Sequence, residues 1–219
     1  MNIAPPSFAM RDFSTPYGPI AVALHAGVVV AHDVQAPQAL AYAAKEAGAT
    51  RIIELVQAQP ADRLLPSIAL VLPHDLVDLT NGRGQTLFVG KGYGFISQNP
   101  AFCPETRAAL LQAAVAQQPL TFARGIVGIV APGQHLAPDQ ARLWNIHLTS
   151  TGIAPLCYFC KELELCYAPL CIVGAVPDVA GIIDAAVAAL PAARACPCAT
   201  TMQPARTRGL VSDDWRTWL

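Results

Sequence analysis

The chain has 219 residues, long enough to bury a sizeable core in one α/β domain, and that single domain is expected to span 1–219. Hydrophobic residues make up 53% and charged residues 13%, roughly half the charged share of ordinary soluble domains, so apolar surface is left that a partner subunit is expected to cover. Lys and Arg number 14 against 15 Asp and Glu, with no basic block, which argues against nucleic acid as a partner; the apolar stretches Ile20 to Ala31 and Leu170 to Leu190 are short or broken by His25, Pro177, Asp178 and Asp184, which argues against a membrane span.

In chain order, Met1 to Asp12 carries no basic region followed by a long apolar run, so no secretory leader is expected, and the cytoplasm is the expected compartment. Met1–Ser14 is expected to be less ordered or a terminal extension. Ile20 to Leu24 and Val28 to Ala31, separated by Ala26 and Gly27, suit a hairpin of core strands. Gln38 to Ala47 is an Ala-rich helix with Lys45 in its last turn and Gly48 as its stop, and it leads into a strand over Arg51 to Val56. The apolar run Ile68 to Leu72 precedes a turn-rich loop containing Asp78, Thr80, Asn81, Gly82 and Gly84.

Cys103-Pro104-Glu105-Thr106 has the pattern of a helix start, with proline at the first position and an acid in the first turn, and predicts a helix over Pro104 to Gln117. A strand is expected over Phe122 to Val130, helices over Pro138 to Trp144 and Leu156 to Leu163, and a buried strand over Cys166 to Val173. The last strong helix runs from Val179 to Leu190 with Asp178 as its N-cap. Thr201–Leu219 is expected to be less ordered or a terminal extension. Strands alternating with helices argue for an α/β fold.

Several segments carry a family resemblance. Val77 to Gly90 is similar to I-D-x-T-x-x-R-P-x-T-F-F-D-G, and Ala101-Phe102-Cys103-Pro104-Glu105-Thr106-Arg107 is similar to P-F-C-P-x-x-R at the matching distance. Thr15-Pro16-Tyr17-Gly18 is similar to T-P-F/Y-G, Ala43 to Ile53 to A-L-K-x-x-G-x-T-R-V-I, and Lys161 to Ala168 to K-E-A-G-I/L-C-Y-A; Cys196-Pro197-Cys198 is similar to a C-x-C near the end of many members. On these residues the chain resembles the purine nucleoside phosphorylase and methylthioadenosine phosphorylase family, as a shortened and divergent member. The resemblance implies a three-layer α/β fold with a central mixed, partly barrel-like sheet flanked by helices. It also implies a homo-oligomer, trimer favoured, that cleaves a purine nucleoside with phosphate to give base and ribose 1-phosphate.

The same resemblance places the site. Phosphorolysis needs a cradle for a doubly charged nucleophile that must be desolvated and aimed at the anomeric carbon. Family members build it from a G-G-S/T-G loop, an R-H-G motif and a T-x-A-C-G-S segment. This chain has no glycine before Thr15, reads Ala31-His32-Asp33 at the second place, and reads Leu55-Val56-Gln57-Ala58-Gln59-Pro60 at the third. At the base, Gly174-Ala175-Val176-Pro177 stands where the family has an Asp or Asn, with Asp178 nearby. At the sugar, Ser150-Thr151-Gly152-Ile153-Ala154-Pro155-Leu156 replaces M-S/T-x-V-P-E, Ala131-Pro132-Gly133 matches the E/A-G-P segment, and Phe95 matches the residue with which a neighbouring subunit closes the site.

Losing one preorganised donor costs about 100-fold to 1000-fold in rate, so the losses together point to a degenerate homologue without phosphorolysis, acting as a binding or structural oligomer. No cofactor is expected, with phosphate a co-substrate only in an active enzyme. Two alternatives stand. One is a divergent phosphorylase or a nucleoside hydrolase with catalytic Asp178 and His32 and with Phe95, Thr151, Ala131, Gly133 and Ala175 against a purine or nucleoside ligand. The other is a metal or redox protein on Cys157, Cys160, Cys196 and Cys198, the C-x-x-C and C-x-C pairs among seven cysteines. Asp78, Thr80 and Arg83 are expected to form a hydrogen-bonded turn at a subunit interface.

Overall fold

The computed structural model of the chain describes residues 8–80, 84, 86–91, 96–176 and 178–219. It opens with an antiparallel meander of β1 (Ala9–Thr15), β2 (Gly18–His25) and β3 (Val28–His32). The β2–β3 link is the two-residue turn Ala26 and Gly27, both at positive φ (47° and 79°), the sense that matches the natural twist of a hairpin. Helix α1 (Pro37–Glu46) follows, with Lys45 in its last turn and Gly48 at φ 76° just beyond it. The ten-residue strand β4 (Arg51–Pro60) comes next, then β5 (Ala69–Val71) and β6 (Asp75–Asp78).

The second half runs through α2 (Pro104–Gln117), β7 (Thr121–Phe122), β8 (Ile126–Ile129), α3 (Pro138–Leu143), β9 (Leu148–Ser150), α4 (Leu156–Glu162), β10 (Cys166–Val173) and α5 (Val179–Ala189). A short 3₁₀ turn (Pro197–Thr200), α6 (Gln203–Thr207) and a last 3₁₀ turn (Trp215–Trp218) complete the chain.

These strands form one mixed ten-stranded sheet flanked by helices, the architecture the resemblance implies. The main path is β1-β2-β3-β4-β10-β5-β7, and β6, β8 and β9 form a second set. β4 joins the two: it lies parallel between β3 and β10, and its last residues, Gln59 and Pro60, pair antiparallel with β9. Because strand side chains alternate, β4 has two different faces. Ile52, Val56 and Ala58 pack with α1 and α4, whereas Ile53 and Leu55 pack with α2 and α5. Burial on both faces explains why β10 reads as an unbroken apolar run.

Three expectations are corrected, and one strand is added. The stretch 9–15 is a strand, held to β2 by a seven-residue register rather than loose. The tail beyond Thr201 is built in: Met202 and Trp218 are buried in the core, and Arg206 makes a two-point ion pair with Glu164 at 2.7 and 3.0 Å. The single strand expected over Phe122 to Val130 is two strands, β7 and β8, separated at Gly125, whose backbone pairs with His74 and where a Cβ would stand 2.9 Å from Val71 Cγ1. β6 was hidden in the turn-rich region because only Leu76 and Val77 mark it.

Candidate functional site

A cavity of about 920 Å³ opens beyond the carboxyl ends of β3 and β4, where open α/β sheets commonly bind ligands, and its size suits a small organic molecule. Most of its wall comes from three places: His32 to Gln35 and Pro37 to Gln38, between β3 and α1; Glu54 to Gln57 of β4; and Ser150 to Leu156, which leads from β9 into α4; Gly84 and Pro132 complete it. These are the segments at which the resemblance places phosphate and sugar. Among the described residues of the wall, none is Lys or Arg. The N-terminal turn of α1 borders the cavity, yet Pro37 stands at its start and offers no N–H, and Asp33 precedes it.

Glu54 is the wall residue that the sequence reading missed. It is 2% exposed, accepts a short hydrogen bond from the Tyr167 hydroxyl and another from the Ile153 amide, and is pushed up to about 7 because burial disfavours its charge. Tyr167 is raised as well, by burial and then by the neighbouring carboxylate. Two local features make room for this acid. Gly152 has no side chain, and a Cβ there would lie 3.2 Å from Glu54 Oε1. Ile153 sits at φ 77°, a strained conformation for a β-branched residue, which turns its amide to the carboxylate. Ser150 braces the same corner, donating from Oγ to the Gln57 carbonyl at 3.0 Å and accepting from the Gly152 amide at 3.1 Å.

The sequence-predicted residues divide. His32 and Thr151 line the cavity together. Ala131, Gly133 and Ala175 are not in its wall, although Pro132 is. Asp178, expected as a catalytic group, is also outside it: at φ 51° it caps α5, accepting from the Gly181 amide at 3.0 Å. Its carboxylate has a local structural task. Phe95 and Arg83 lie outside the described residues. Asp78 and Thr80 do form a turn, with the Thr80 amide donating to Asp78 Oδ1 at 2.9 Å, and the Tyr158 hydroxyl of α4 donates to Asp78 Oδ2 at 3.2 Å.

The four cysteines proposed as a metal group are not together. Cys157 and Cys160 belong to the main core, where burial raises both thiols, while Cys196 and Cys198 meet Cys103 and Cys166 in a separate buried cluster. The C-x-x-C spacing misled because both of its cysteines face inward from α4 as small apolar groups.

The fold is that of the nucleoside phosphorylases. A methylthioadenosine phosphorylase from an Antarctic soil metagenome superposes with a TM-score of 0.80 over 97% of this chain and 91% of that one at 19% identity; the Schistosoma mansoni methylthioadenosine phosphorylase does so with 0.71 over 93% and 90%, also at 19%. By sequence, the chain is a divergent relative of the purine nucleoside and methylthioadenosine phosphorylases. It is 33% identical to the Drosophila melanogaster purine nucleoside phosphorylase over 112 residues, 46% of this chain and 38% of that protein. It is 27% identical to a probable S-methyl-5'-thioinosine phosphorylase of Methanopyrus kandleri over 197 residues, 77% and 75% of the two. The chain spans less than two thirds of several curated relatives: 62% of the Korarchaeum cryptofilum and 49% of the Aedes aegypti protein. No family model matches it. Variants of the Schistosoma enzyme are solved with adenine and with methylthioadenosine. No helix among the described residues is long and apolar enough to cross a membrane.

Proposed function

We propose that this phosphorylase relative binds a purine base or nucleoside in the β3–β4 cavity and does not carry out phosphorolysis. The observation that supports this reading is the charge of the cavity: it presents the carboxyl groups of Asp33 and Glu54 and, among the described residues, no guanidinium or ammonium. A phosphate dianion entering it would meet carboxyl groups where the reaction needs preorganised positive charge. A nucleoside carries no such charge, and its hydroxyls and ring nitrogens suit His32, Gln35, Gln57, Ser150 and Thr151.

The test is calorimetric titration with inosine, adenosine and methylthioadenosine, with and without phosphate, beside an assay for released base. Binding that is indifferent to phosphate, with no phosphate-dependent release, is the expected result. Turnover that rises with phosphate would overturn the reading.

A second reading, hydrolysis by water, is favoured by Glu54 alone. A carboxyl pushed up to about 7 inside a cavity can take a proton from water near neutral pH. It requires base release without phosphate that disappears in Glu54→Gln. The assembly is proposed to be a homotrimer.

A further inference from the structure

We propose that Cys103, Cys166, Cys196 and Cys198 form a tetrathiolate site for one divalent cation of the zinc class, which fastens the C-terminal segment to the starts of α2 and β10. The four sulfur atoms all lie within 4.8 Å of one another, and all four residues are buried. A tetrahedral ion with zinc–sulfur bonds of about 2.3 Å needs sulfurs about 3.8 Å apart, so small shifts, inward for the wider pairs and outward for Cys166 and Cys196, close the shell around a single ion. A cluster of several metals needs thiolates spread more widely.

The placement is one that a cation would organise. Cys103 is the N-cap of α2 and its amide donates to the Tyr167 carbonyl at 2.8 Å; Cys166 opens β10 and its amide donates to the Thr50 carbonyl at 2.9 Å. Both are therefore held by backbone pairing that does not involve the tail. Cys196 and Cys198 straddle the start of the 3₁₀ turn at Pro197, and the Cys166 and Cys196 sulfurs are 3.3 Å apart. The tail on either side is anchored in the same way, by the Ala195 amide to Glu105 at 2.6 Å and by the Thr201 hydroxyl to the Lys161 carbonyl at 2.6 Å.

Charge agrees. A divalent ion with four thiolates carries two net negative charges, and a guanidinium faces the cluster. Arg194 donates to the Glu164 carbonyl at 2.7 Å and reaches Cys166 Sγ at 3.9 Å, while the buried Lys161 ammonium, held by the Pro100 carbonyl, lies in the field of Cys198, Cys157 and Cys103. Binding exchanges the four thiol protons for the ion and releases them to solvent, with no oxidant or reductant. Cys166 pairs with Arg51 at the first residue of β4, whereas the cavity begins at Glu54 and opens beyond the far end of that strand. A closed shell away from the cavity is a structural site.

The experiment measures metal in protein purified under reducing conditions without chelator, and then counts thiols after denaturation. About one zinc per chain is expected, together with all seven thiols once the ion is removed. Cys103→Ser and Cys198→Ser lose the ion, whereas Cys157→Ala keeps it. Should the serine variants fail to fold, cobalt exchanged into the native protein reports on the same shell through thiolate charge-transfer bands and the strong visible bands of tetrahedral cobalt. Metal-free protein overturns the proposal, whether seven thiols are counted or fewer because pairs have been oxidised to disulfides.

Discussion

At the scale of single residues, two buried acids set how stability depends on pH. Glu54, held by Tyr167, and Glu162, accepting from the Leu87 amide at 2.7 Å, are both pushed up to about 7, chiefly by burial. A carboxyl whose folded pKa lies above its unfolded value holds its proton more tightly in the native state. Between the unfolded value of 4.5 and about 7 the native protein therefore binds more protons, and stability falls as pH rises through that window. Each group is able to contribute up to about 3 kcal/mol. Urea midpoints are expected to be higher at pH 5 than at pH 8, and Glu54→Gln is expected to raise the pH 8 value and flatten the slope by about half. An unchanged slope would show that Glu54 ionises freely. The sequence did not mark Glu54, because one acid in an apolar strand has no spacing signature. Asp178 attracted attention by its place after β10, yet a cap aspartate and a catalytic one look alike until the side chain is placed. The best-matched motifs proved to be braces: Arg107 donates to the Leu72 and Ala123 carbonyls, Asp78 holds Tyr158, and Glu162 holds Leu87. The cavity wall is where the match is poorest, so the resemblance made the scaffold more legible than the ligand.

At the scale of elements, the link from β10 to α5 has the least tolerance. Gly174 stands at φ 69°, and a Cβ there would lie 2.2 Å from the Ser67 carbonyl oxygen, a backbone atom that cannot swing aside. Gly174→Ala is expected to cost about 3 kcal/mol, a drop in Tm of roughly 6 to 12 °C for a chain of this size, measurable by calorimetry. Four residues on, Asp178→Ala removes the α5 cap and leaves alanine in a left-handed conformation, for a loss of about 1 kcal/mol or more; Asp178→Asn, which tolerates that conformation and can still accept, is expected to lose much less. Nucleoside affinity is expected to stay unchanged in both Asp178 variants, and a large loss of affinity would return Asp178 to the site. Elements with local signals were legible: α2 from its Pro104 start, α5 from its cap, β10 from its apolar run. β1, β6 and β9 were not, since each is defined by the strand it pairs with. The thiol cluster was hidden for the same reason, because Cys103 and Cys166 are distant in sequence and only folding joins them to the C-x-C.

At the scale of the whole molecule, a charged share of 13% leaves large apolar groups facing outward: Leu64, Val89, Leu143 and Trp144 are 88, 78, 79 and 43% exposed. Single exposed apolar residues are ordinary, but Leu143 and Trp144 are adjacent at the end of α3, where together they make a patch that another protein surface would cover. Light scattering is expected to give a mass near three times 23.1 kDa, and Leu143→Lys combined with Trp144→Lys is expected to shift it toward a single chain. Both positions are exposed, so the double variant should keep its fold and its circular dichroism. A native protein that already runs at the mass of one chain would refute the assembly, and an unchanged trimer in the variant would move its interface elsewhere. The outcome bears on the cavity too, since the family resemblance implies that Phe95 of a neighbouring subunit closes it. If that assignment holds, loss of the trimer should weaken nucleoside binding without changing any residue in the cavity wall.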